Sequence, residues 1–351
     1  MNKPSVSFLE IYYYLMKENI FITGSAGFIG FSLAKSLLDD GYRVHGYDGM
    51  TKYYDIKLKN ERNKILKTYK NFSFTKAMLE NEKILYKVAT NFKPKIIIHL
   101  AAQAGVRYSI EKPRVYLSSN ITGTFNIIEL ANKLKVKHLL IASSSSVYGA
   151  NTKIPYRETD ATQTQLSIYA STKKATESIA HSYSSLWKLP ITMLRFFTVY
   201  GPWGRPDMVP IKFARAITKG RKIDIYNKGE MYRDFTYIDD VLRSVKALIK
   251  IPPRMIKKNN IDKNDSLSTV APYRIINIGN SKKIKLLDFI KTLETFLGKK
   301  AIRNYMSMQK GDVYATWANT NLLKKLTGFT PSTNLKVGVK KFVDWFDKHY
   351  K

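Results

Sequence analysis

Tyr169 and Lys173, four residues apart, are the pair best suited to chemistry in this sequence of 351 residues. Side chains at positions i and i+4 share one face of a helix, so these two can act together. A tyrosine hydroxyl is a weak acid with an ordinary pKa of ~10, but nearby positive charge stabilises its phenolate. Lys173 would supply that charge, which favours a tyrosine base for proton abstraction. The alternative is a surface helix pair without a chemical role.

Four consecutive serines, Ser143–Ser146, precede this pair in the chain. They follow a short apolar segment, His138–Ala142, that predicts a buried strand. Open α/β sheets bind their ligands at the carboxyl ends of the strands, which is where these serines would lie. A serine hydroxyl at that edge could relay a proton between the tyrosine and a substrate hydroxyl.

A glycine-rich turn, Gly24–Gly30, joins a predicted strand to a predicted helix, Phe28–Leu38. Glycines in this context permit a tight turn and close backbone approach to a pyrophosphate, which the helix N-terminus attracts. Asp48 ends the second predicted strand, where a carboxylate can hold both hydroxyls of a ribose. The pattern favours NAD over NADP as a cofactor, against the alternative that the glycines only form turns.

These groups need a scaffold of alternating strands and helices, and the sequence contains one. Short apolar stretches predict buried strands, and helical periodicity fills the segments between them, as in Thr122–Leu134. Such alternation indicates parallel βαβ units with right-handed crossovers. We therefore predict an α/β fold, with a Rossmann-like doubly wound parallel sheet and a smaller mixed α/β C-terminal substrate lobe. The predicted strands are Ile20–Ile22, Tyr42–Tyr47, Lys95–His99 and His138–Ala142.

The composition narrows the possible classes of protein. The absence of cysteine excludes disulfides, cysteine-ligated zinc, iron–sulfur clusters and thiol catalysis. The five histidines lack the spacing of metal ligands, so no metal is expected. No apolar run reaches the ~20 residues that cross a bilayer, and we expect a cytoplasmic protein without a membrane partner.

The net charge of +32, from 59 lysines and arginines against 27 acidic residues, has two interpretations. A basic surface attracts polyanions such as nucleic acids. Alternatively, the excess reflects a compositional bias toward lysine. The lysines are scattered along the whole chain without a basic arm or an RNA-binding signature, which favours the second interpretation and predicts no nucleic-acid partner.

Taken together, the motifs resemble the extended short-chain dehydrogenase/reductase family, specifically its NAD-dependent nucleotide-sugar epimerases and most of all the UDP-glucuronate 4-epimerases. The resemblance covers residues 19–350, and its most distinctive stretch is Arg195–Met208. The other matching stretches are Thr23–Gly30, Tyr53–Asp55, His99–Ser109, Ala142–Tyr148, Tyr169–Lys173, Arg233–Asp240, Pro272–Ser281 and Met308–Val313.

This resemblance implies a role for each candidate residue. Tyr169 is the expected base, Lys173 its electrostatic partner and a ribose ligand, and Ser144, placed by counting back from Val147–Gly149, the proton relay. The expected NAD contacts are Gly24, Gly27, Phe28, Ile29, Gly30, Asp48, Leu100, Ala101, Ala102, Gln103, Tyr169 and Lys173. The expected substrate contacts are Arg107, Ser145, Ser146, Thr198, Arg205, Arg233 and Asp312.

The related reactions all begin with hydride transfer from sugar C4 to NAD. The residues of the serine run distinguish between them. The 4,6-dehydratases of the family have Asp and Glu where this chain has Ser145 and Ser146, and the decarboxylases have Glu at the second position. Epimerisation needs neither carboxylate, because the 4-keto sugar turns over and takes the hydride back on its other face. The sequence therefore favours a UDP-sugar 4-epimerase over a decarboxylase or a dehydratase.

The expected substrate is UDP-glucuronate, converted to UDP-galacturonate, because Arg205 could grip a carboxylate through a bidentate ion pair. Alternatively, Arg205 stabilises its loop or binds phosphate. The other possible substrates are UDP-glucose and UDP-N-acetylglucosamine, and a noncatalytic NAD-binding scaffold is a different class of function. Gln309 stands where UDP-galactose 4-epimerases have Arg, which again favours a uronate.

Two positions depart from the family at the cofactor site. Gly49 replaces the usual Asn after the ribose-binding Asp48, and Met78 replaces an Asp that contacts adenine. These changes predict weaker NAD binding or adenine contacts from elsewhere.

The predicted organisation has three parts. Residues 1–18 form an N-terminal extension, in which Met16 could be the true start; 19–190 form the NAD-binding Rossmann domain; and 191–351 form mainly the nucleotide-sugar-binding lobe. Segments near 235–250 are expected to return to the first domain. The resemblance also implies a homodimer, formed through helices near Thr122–Leu134 and Ser167–Leu186, and a role in polysaccharide biosynthesis.

Overall fold

A computed structural model describes residues 17–309 and 311–350 of the chain. The predicted N-terminal extension lies outside the described residues, apart from Lys17 and Glu18. Within the described part, no helix is long and apolar enough to cross a membrane.

Fourteen strands and twelve α-helices alternate along the described residues. The strands are β1 (Asn19–Thr23), β2 (Arg43–Asp48), β3 (Phe72–Lys76), β4 (Ile96–His99), β5 (His138–Ser144), β6 (Ile191–Phe196), β7 (Thr198–Tyr200), β8 (Lys222–Ile225), β9 (Tyr232–Arg233), β10 (Phe235–Tyr237), β11 (Tyr273–Ile278), β12 (Ile284–Lys285), β13 (Ile302–Tyr305) and β14 (Ala315–Thr316). The helices are α1 (Phe28–Asp39), α2 (Ile56–Leu66), α3 (Glu82–Phe92), α4 (Val106–Glu111), α5 (Pro113–Tyr116), α6 (Gly123–Lys133), α7 (Ile168–Trp187), α8 (Val209–Thr218), α9 (Ile238–Ile249), α10 (Leu286–Leu297), α11 (Asn321–Thr327) and α12 (Leu335–Tyr350). A π-helical turn, Leu117–Thr122, links α5 to α6, and a 3-10 turn, Ser145–Tyr148, follows β5.

Seven parallel strands form the central sheet in the order β11-β6-β5-β4-β1-β2-β3. Ile20 of β1 lies between Val44 of β2 and Ile96 of β4, so the strand order reverses beside β1. In sheets of this kind, a crevice opens at the carboxyl ends of the strands where the order reverses. The predicted Rossmann-like doubly wound sheet is confirmed.

Helices cover both faces of the sheet, and consecutive strand residues pack into different cores. Ile20 and Ile22 pack with Phe31 of α1 and Val241 of α9, whereas Phe21 packs on the opposite face, in the core that holds α6 and α7. Because both faces are covered, the strands are continuous apolar runs rather than alternating ones.

The smaller lobe has a third core, formed by apolar faces of α8, α10 and α12. Phe213, Phe289 and Phe342 are buried there, and short strand pairs such as β8 with β13 border them. The lobe is not continuous in sequence. Strand β6 pairs with β5 and strand β11 pairs with β6, so both strands, which lie within the predicted segment 191–351, belong to the central sheet. Helix α9, within the predicted 235–250 segment, packs on α1.

Candidate active site

The glycine-rich turn is packed tightly at its glycine positions. Gly24 has a φ of +73°, and a Cβ there would lie 2.7 Å from the Ala101 nitrogen. A Cβ on Gly30 would lie 2.0 Å from the Gly24 oxygen, and one on Gly27 would lie 3.0 Å from it. Helix α1 begins directly afterwards at Phe28, so its free N–H groups face the crevice. The turn can therefore cradle a pyrophosphate.

Asp48, buried at the end of β2, ties this turn to the neighbouring strand. Its Oδ2 accepts a hydrogen bond from the Ala26 nitrogen at 3.0 Å, and its Oδ1 accepts one from the Met50 nitrogen at 2.8 Å. Each carboxylate oxygen has a second lone pair, which remains for a ribose hydroxyl. The position fits the predicted ribose contact.

The segment Leu100–Gln103 follows β4 and borders the crevice on its other side. Asn120, in the π-helical turn, fixes this segment: its Oδ1 accepts from the Gln103 nitrogen at 2.8 Å and its Nδ2 donates to the Gln103 oxygen at 3.0 Å. The same Nδ2 donates to Thr172 of α7 at 3.0 Å. Asn120 was not among the residues predicted from the sequence. It lies in a π-helical turn, and such turns are frequent at functional sites.

Helix α7 carries Tyr169 and Lys173 and begins at a capped N-terminus, where Ser167 accepts a hydrogen bond from the Ala170 nitrogen at 3.1 Å. The Lys173 ammonium is 3% exposed and donates to the Ala142 oxygen of β5 at 2.7 Å. Burial lowers the pKa of Lys173 to about 8, against the opposing charge of Glu177. Lys173 can therefore change its protonation state near neutral pH.

Ser144 is the serine of the run that faces Tyr169. Burial raises the pKa of Tyr169, while a hydrogen bond with Ser144 and the charge of Arg205 act in the opposite direction. The Ser144 oxygen also accepts from the Ser146 nitrogen at 3.1 Å. Ser143 instead donates to Glu177 at 2.6 Å, away from Tyr169. The geometry thus favours Ser144 as the proton relay.

A cleft of about 630 Å³, partly open to solvent, lies beside this group. Five of the seven predicted substrate residues line it: Ser145, Ser146, Thr198, Arg233 and Asp312. Arg107 lies at the rim, half-exposed, with its Nη2 3.9 Å from Asp312 Oδ2 and its guanidinium over the Tyr226 ring at 4.5 Å. The cleft therefore offers cationic groups for a phosphate and hydroxyls for a sugar.

Arg233 supplies the positive charge on the lobe side of the cleft. Its Nη1 donates to the Tyr232 oxygen at 2.9 Å, which holds the side chain in place. Burial lowers the pKa of Arg233, and Asp312 acts in the opposite direction. An anion would offset the cost of burying this charge.

Arg205 is paired within its own loop. Its Nε and Nη2 donate to Asp207 at 3.1 Å and 2.5 Å, and the Tyr53 hydroxyl donates to the same carboxylate at 3.2 Å. The loop-stabilising role is therefore present in the structure. Arg205 nevertheless has five N–H donors, so others remain for a substrate carboxylate.

Arg62 of α2 is a fully buried residue that the sequence analysis missed. Its Nη1 donates to the Ala26 oxygen and the Tyr54 hydroxyl, both at 2.9 Å, and its Nη2 donates to the Gly204 oxygen at 3.0 Å. Arg62 thus connects the glycine-rich turn to the loop of Arg205. A single arginine in a charged helix gives no sequence signal for this role.

Gly49 and Met78, the two departures at the cofactor site, contact each other. A Cβ on Gly49 would lie 2.4 Å from the Met78 sulfur, so the thioether occupies the space of a side chain at position 49. Met78 follows β3 and is 40% exposed at the carboxyl edge of the sheet. A larger side chain at position 49 therefore requires that the Met78 side chain moves or is smaller.

A doubly wound sheet with a glycine-rich turn, a buried carboxylate at the end of β2 and a Ser-Tyr-Lys group is typical of dinucleotide-dependent enzymes of the short-chain dehydrogenase/reductase type. The chain belongs to the NAD dependent epimerase/dehydratase family, whose sequence profile matches residues 20–262. Within residues 17–309 and 311–350, no three His, Asp or Glu side chains are grouped to hold a metal ion.

Relatives of the chain include enzymes that act on nucleotide sugars. A probable UDP-glucuronate 4-epimerase of Rhizobium meliloti (strain 1021) is 50% identical over 94% of this chain and 97% of its own length. The crystal structure of UDP-glucuronic acid 4-epimerase from Bacillus cereus, in complex with UDP-glucuronic acid and NAD, is similar with a TM-score of 0.83 and 31% identity, covering 95% of this chain and all (100%) of that one. A UDP-glucose 4-epimerase from Thermotoga maritima, crystallised with UDP-glucose, has a TM-score of 0.81 and 27% identity, with 95% and 100% coverage.

Proposed function

We propose that this protein is an NAD-dependent nucleotide-sugar 4-epimerase, an isomerase that interconverts UDP-glucuronate and UDP-galacturonate. The observation that carries the proposal is the placement of Ser144, at the carboxyl end of β5, against Tyr169 of α7, with Lys173 buried on the same helix and bound to β5. The 50% identity to a probable UDP-glucuronate 4-epimerase supports the choice of substrate.

Each residue has a defined task in this reaction. When bound, NAD supplies a hydride acceptor that oxidises sugar C4 and later returns the hydride. Tyr169 removes the proton of the C4 hydroxyl, directly or through Ser144, and gives it back to the 4-keto sugar after this has turned over. The Lys173 ammonium stabilises the phenolate of Tyr169 and binds the nicotinamide ribose.

The cofactor site fits NAD by its own geometry. Gly24 and Gly30 have no room for a Cβ, and without side chains at these positions a pyrophosphate can approach the backbone and the N-terminus of α1. Asp48 remains available to two ribose hydroxyls, and a carboxylate at this position repels the 2′-phosphate of NADP. The segment Leu100–Gln103 would contact the rest of the cofactor across the crevice.

The substrate would lie across the cleft with its two ends held differently. Arg233 and Arg107 bind the diphosphate, and Asp312 binds the uridine ribose. At the sugar end, Ser145, Ser146 and Thr198 donate hydrogen bonds to the uronate carboxylate, together with free N–H groups of Arg205. A firmly held carboxylate also resists loss as carbon dioxide from the β-keto acid.

A second candidate is a 4-epimerase of neutral UDP-sugars, UDP-glucose or UDP-N-acetylglucosamine. The pairing of Arg205 with Asp207 favours it, because Asp207 offsets the charge that a uronate would need. A decarboxylase or a dehydratase would need acidic residues where this chain has Ser145 and Ser146. A noncatalytic NAD-binding scaffold would not need an assembled Ser-Tyr-Lys group.

One assay separates these functions. Purified protein is incubated with UDP-glucuronate, UDP-glucose and UDP-N-acetylglucosamine in turn, and the products are resolved by anion-exchange chromatography. We expect UDP-galacturonate at the highest kcat/KM. A UDP-pentose would show decarboxylation, faster turnover of UDP-glucose would show the neutral-sugar function, and no turnover of any of the three would favour the scaffold.

We also propose a homodimer in the cytoplasm that supplies sugar units for polysaccharide biosynthesis. Three large apolar side chains of α7 are exposed: Ile168 at 42%, Leu186 at 69% and Trp187 at 50%. Leu117 of the adjacent π-helical turn is exposed at 53%. Large apolar side chains exposed in this way are typical of a contact between protein chains.

A further inference from the structure

A buried ion pair lies behind the serine run and has no task in the reaction described above. Glu177 of α7 is 2% exposed and Arg195 of β6 is 1% exposed. The Arg195 Nε and Nη2 donate to the two Glu177 oxygens at 2.9 Å and 2.8 Å. Removing two charges from water is costly, and such pairs often contribute little net stability, so stability alone is a weak explanation for this one.

Glu177 lies on the same face of α7 as the reactive pair, because Tyr169, Lys173 and Glu177 follow one another at intervals of four residues. Two of the three bind successive residues of β5. The Lys173 ammonium donates to the Ala142 oxygen at 2.7 Å, and Ser143 donates to Glu177 Oε1 at 2.6 Å. The next residue of β5 is Ser144.

We propose that Glu177, held by Arg195, is a positioning residue that fixes Ser144 against Tyr169 through Ser143 and keeps Lys173 in its charged form. This inference rests on the proposed function for its kinetic part. The electrostatic part concerns Lys173 alone and does not depend on the sugar.

The titratable groups around Lys173 and Glu177 come from four elements. On α7 the neighbours are Tyr169 and Glu177, which also lies 3.7 Å from the Lys174 ammonium. From β4, His99 faces Lys173 and is neutral, because burial and the lysine charge lower the pKa of His99 to about 3. Strand β6 contributes Arg195. From β11, the Tyr273 hydroxyl donates to the backbone carbonyl oxygen of Glu177 at 3.1 Å and stays protonated, since burial raises its pKa.

Among these groups, Glu177 is the one whose charge holds the proton on Lys173. Burial lowers the pKa of Lys173 to about 8, and Glu177 raises it. Loss of the carboxylate charge would also leave the Arg195 charge unbalanced, which lowers the pKa of Lys173 further. The neutral lysine would no longer stabilise the phenolate, so the loss of activity on the alkaline side would move to lower pH.

The electrostatic part is tested without substrate. Full-length protein is labelled with ¹³Cε-lysine and titrated by NMR, with the Lys173 signal assigned by its absence in Lys173→Met. In Glu177→Gln we expect the pKa of Lys173 to fall by about one unit or more, as for loss of an opposite charge within a few ångströms. Glu177→Asp, which keeps the charge, should shift it little. An unchanged pKa in Glu177→Gln overturns this part.

The positioning part is tested with Ser143→Ala, which leaves every charge in place. This test remains valid even if Glu177→Gln does not fold. Loss of one hydrogen bond predicts a kcat about 3- to 10-fold lower, with unchanged KM and an unchanged kcat–pH profile. Ser178→Ala, which removes an exposed hydroxyl from the same helix, is the matched control. A wild-type kcat in Ser143→Ala overturns the positioning role.

Discussion

The Lys173 ammonium donates a 2.7 Å hydrogen bond to the carbonyl oxygen of Ala142, two residues before Ser144 on the same strand. This bond joins α7, which carries Tyr169, to β5, which carries Ser144. It holds the Lys173 ammonium in the interior of the protein rather than in solvent. In the proposed mechanism, this helix–strand contact therefore positions the base and the relay relative to each other.

Replacement of Tyr169 by Phe removes the base and leaves the ring in place. We expect kcat to fall by about 10²- to 10⁴-fold, the usual contribution of a positioned acid–base group. Ser144→Ala should lose less, because water can replace a relay. NAD binding, measured by calorimetry, should stay within a few-fold in both variants, and Ser178→Ala should behave as wild type. Wild-type turnover in Tyr169→Phe would contradict the mechanism.

Acid should destabilise the protein through its buried histidines. Burial lowers the pKa of His138 to about 4, and its ring contacts the Ile249 oxygen at 3.2 Å and the Thr192 hydroxyl at 2.8 Å. The unfolded chain binds a proton near pH 6.5 and the folded chain does not, so stability present above pH 6.5 is lost as the pH falls toward 4. The shift corresponds to about 3 kcal/mol at most.

The measurement is urea unfolding between pH 4 and pH 7. His138→Gln cannot take up the proton and should show a shallower loss of unfolding free energy over this interval, even if it is less stable at pH 7. Equal slopes for the wild type and His138→Gln would show that this histidine does not control the acid response.

The sequence predicted those parts of the fold whose signal is local. Strands β1, β4 and β5 are covered on both faces and therefore read as apolar runs. Strand β3, at the edge of the sheet, is half-exposed and mixes apolar with polar residues. It was therefore not predicted, because the sequence has no continuous apolar stretch there. The places of β6 and β11 in the sheet depend on pairing between strands nearly 80 residues apart, which no local pattern records.

The candidate site divides in the same way. Tyr169, Lys173 and Asp48 belong to motifs in which spacing reveals the chemistry. Asn120 and Arg62 act through contacts with backbone far away in the sequence, and their neighbours in the chain give no indication of this. The sequence also flagged Gly49 and Met78 separately, but only the structure shows that they share one space.

The contact between Gly49 and Met78 predicts that the effect of a substitution at one position depends on the residue at the other. Gly49→Asn places a side chain where the Met78 sulfur lies, 2.4 Å from the new Cβ, and should displace the thioether and weaken NAD binding by about 10-fold, within the range for overpacking. The same change in a Met78→Ala background has room and should cost much less. Calorimetric Kd values for the four proteins of this cycle test the coupling, and additive effects would contradict it.

The proposed dimer contact can be broken by charge. Leu186→Glu places a carboxylate on the exposed apolar face of α7, where the side chain is 69% exposed in the single chain. We expect a monomer by light scattering at concentrations where the wild type is a dimer, and a lower melting temperature because the partner no longer stabilises the folded chain. Ser182→Glu, one turn earlier on the same helix, is a charge-matched comparison. A monomeric wild type would remove the proposed dimer.

Arg205 and Asp207 decide between a uronate and a neutral sugar. If Arg205 grips the uronate carboxylate, Arg205→Leu should lower kcat/KM for UDP-glucuronate by more than 100-fold, since a charge-assisted pair is lost, and for UDP-glucose far less. Asp207→Asn should release the guanidinium from its bidentate partner and lower the KM for UDP-glucuronate. Equal losses on both sugars in Arg205→Leu would instead assign Arg205 to loop stability. A raised KM for UDP-glucuronate in Asp207→Asn would mean that Asp207 holds Arg205 in its binding position.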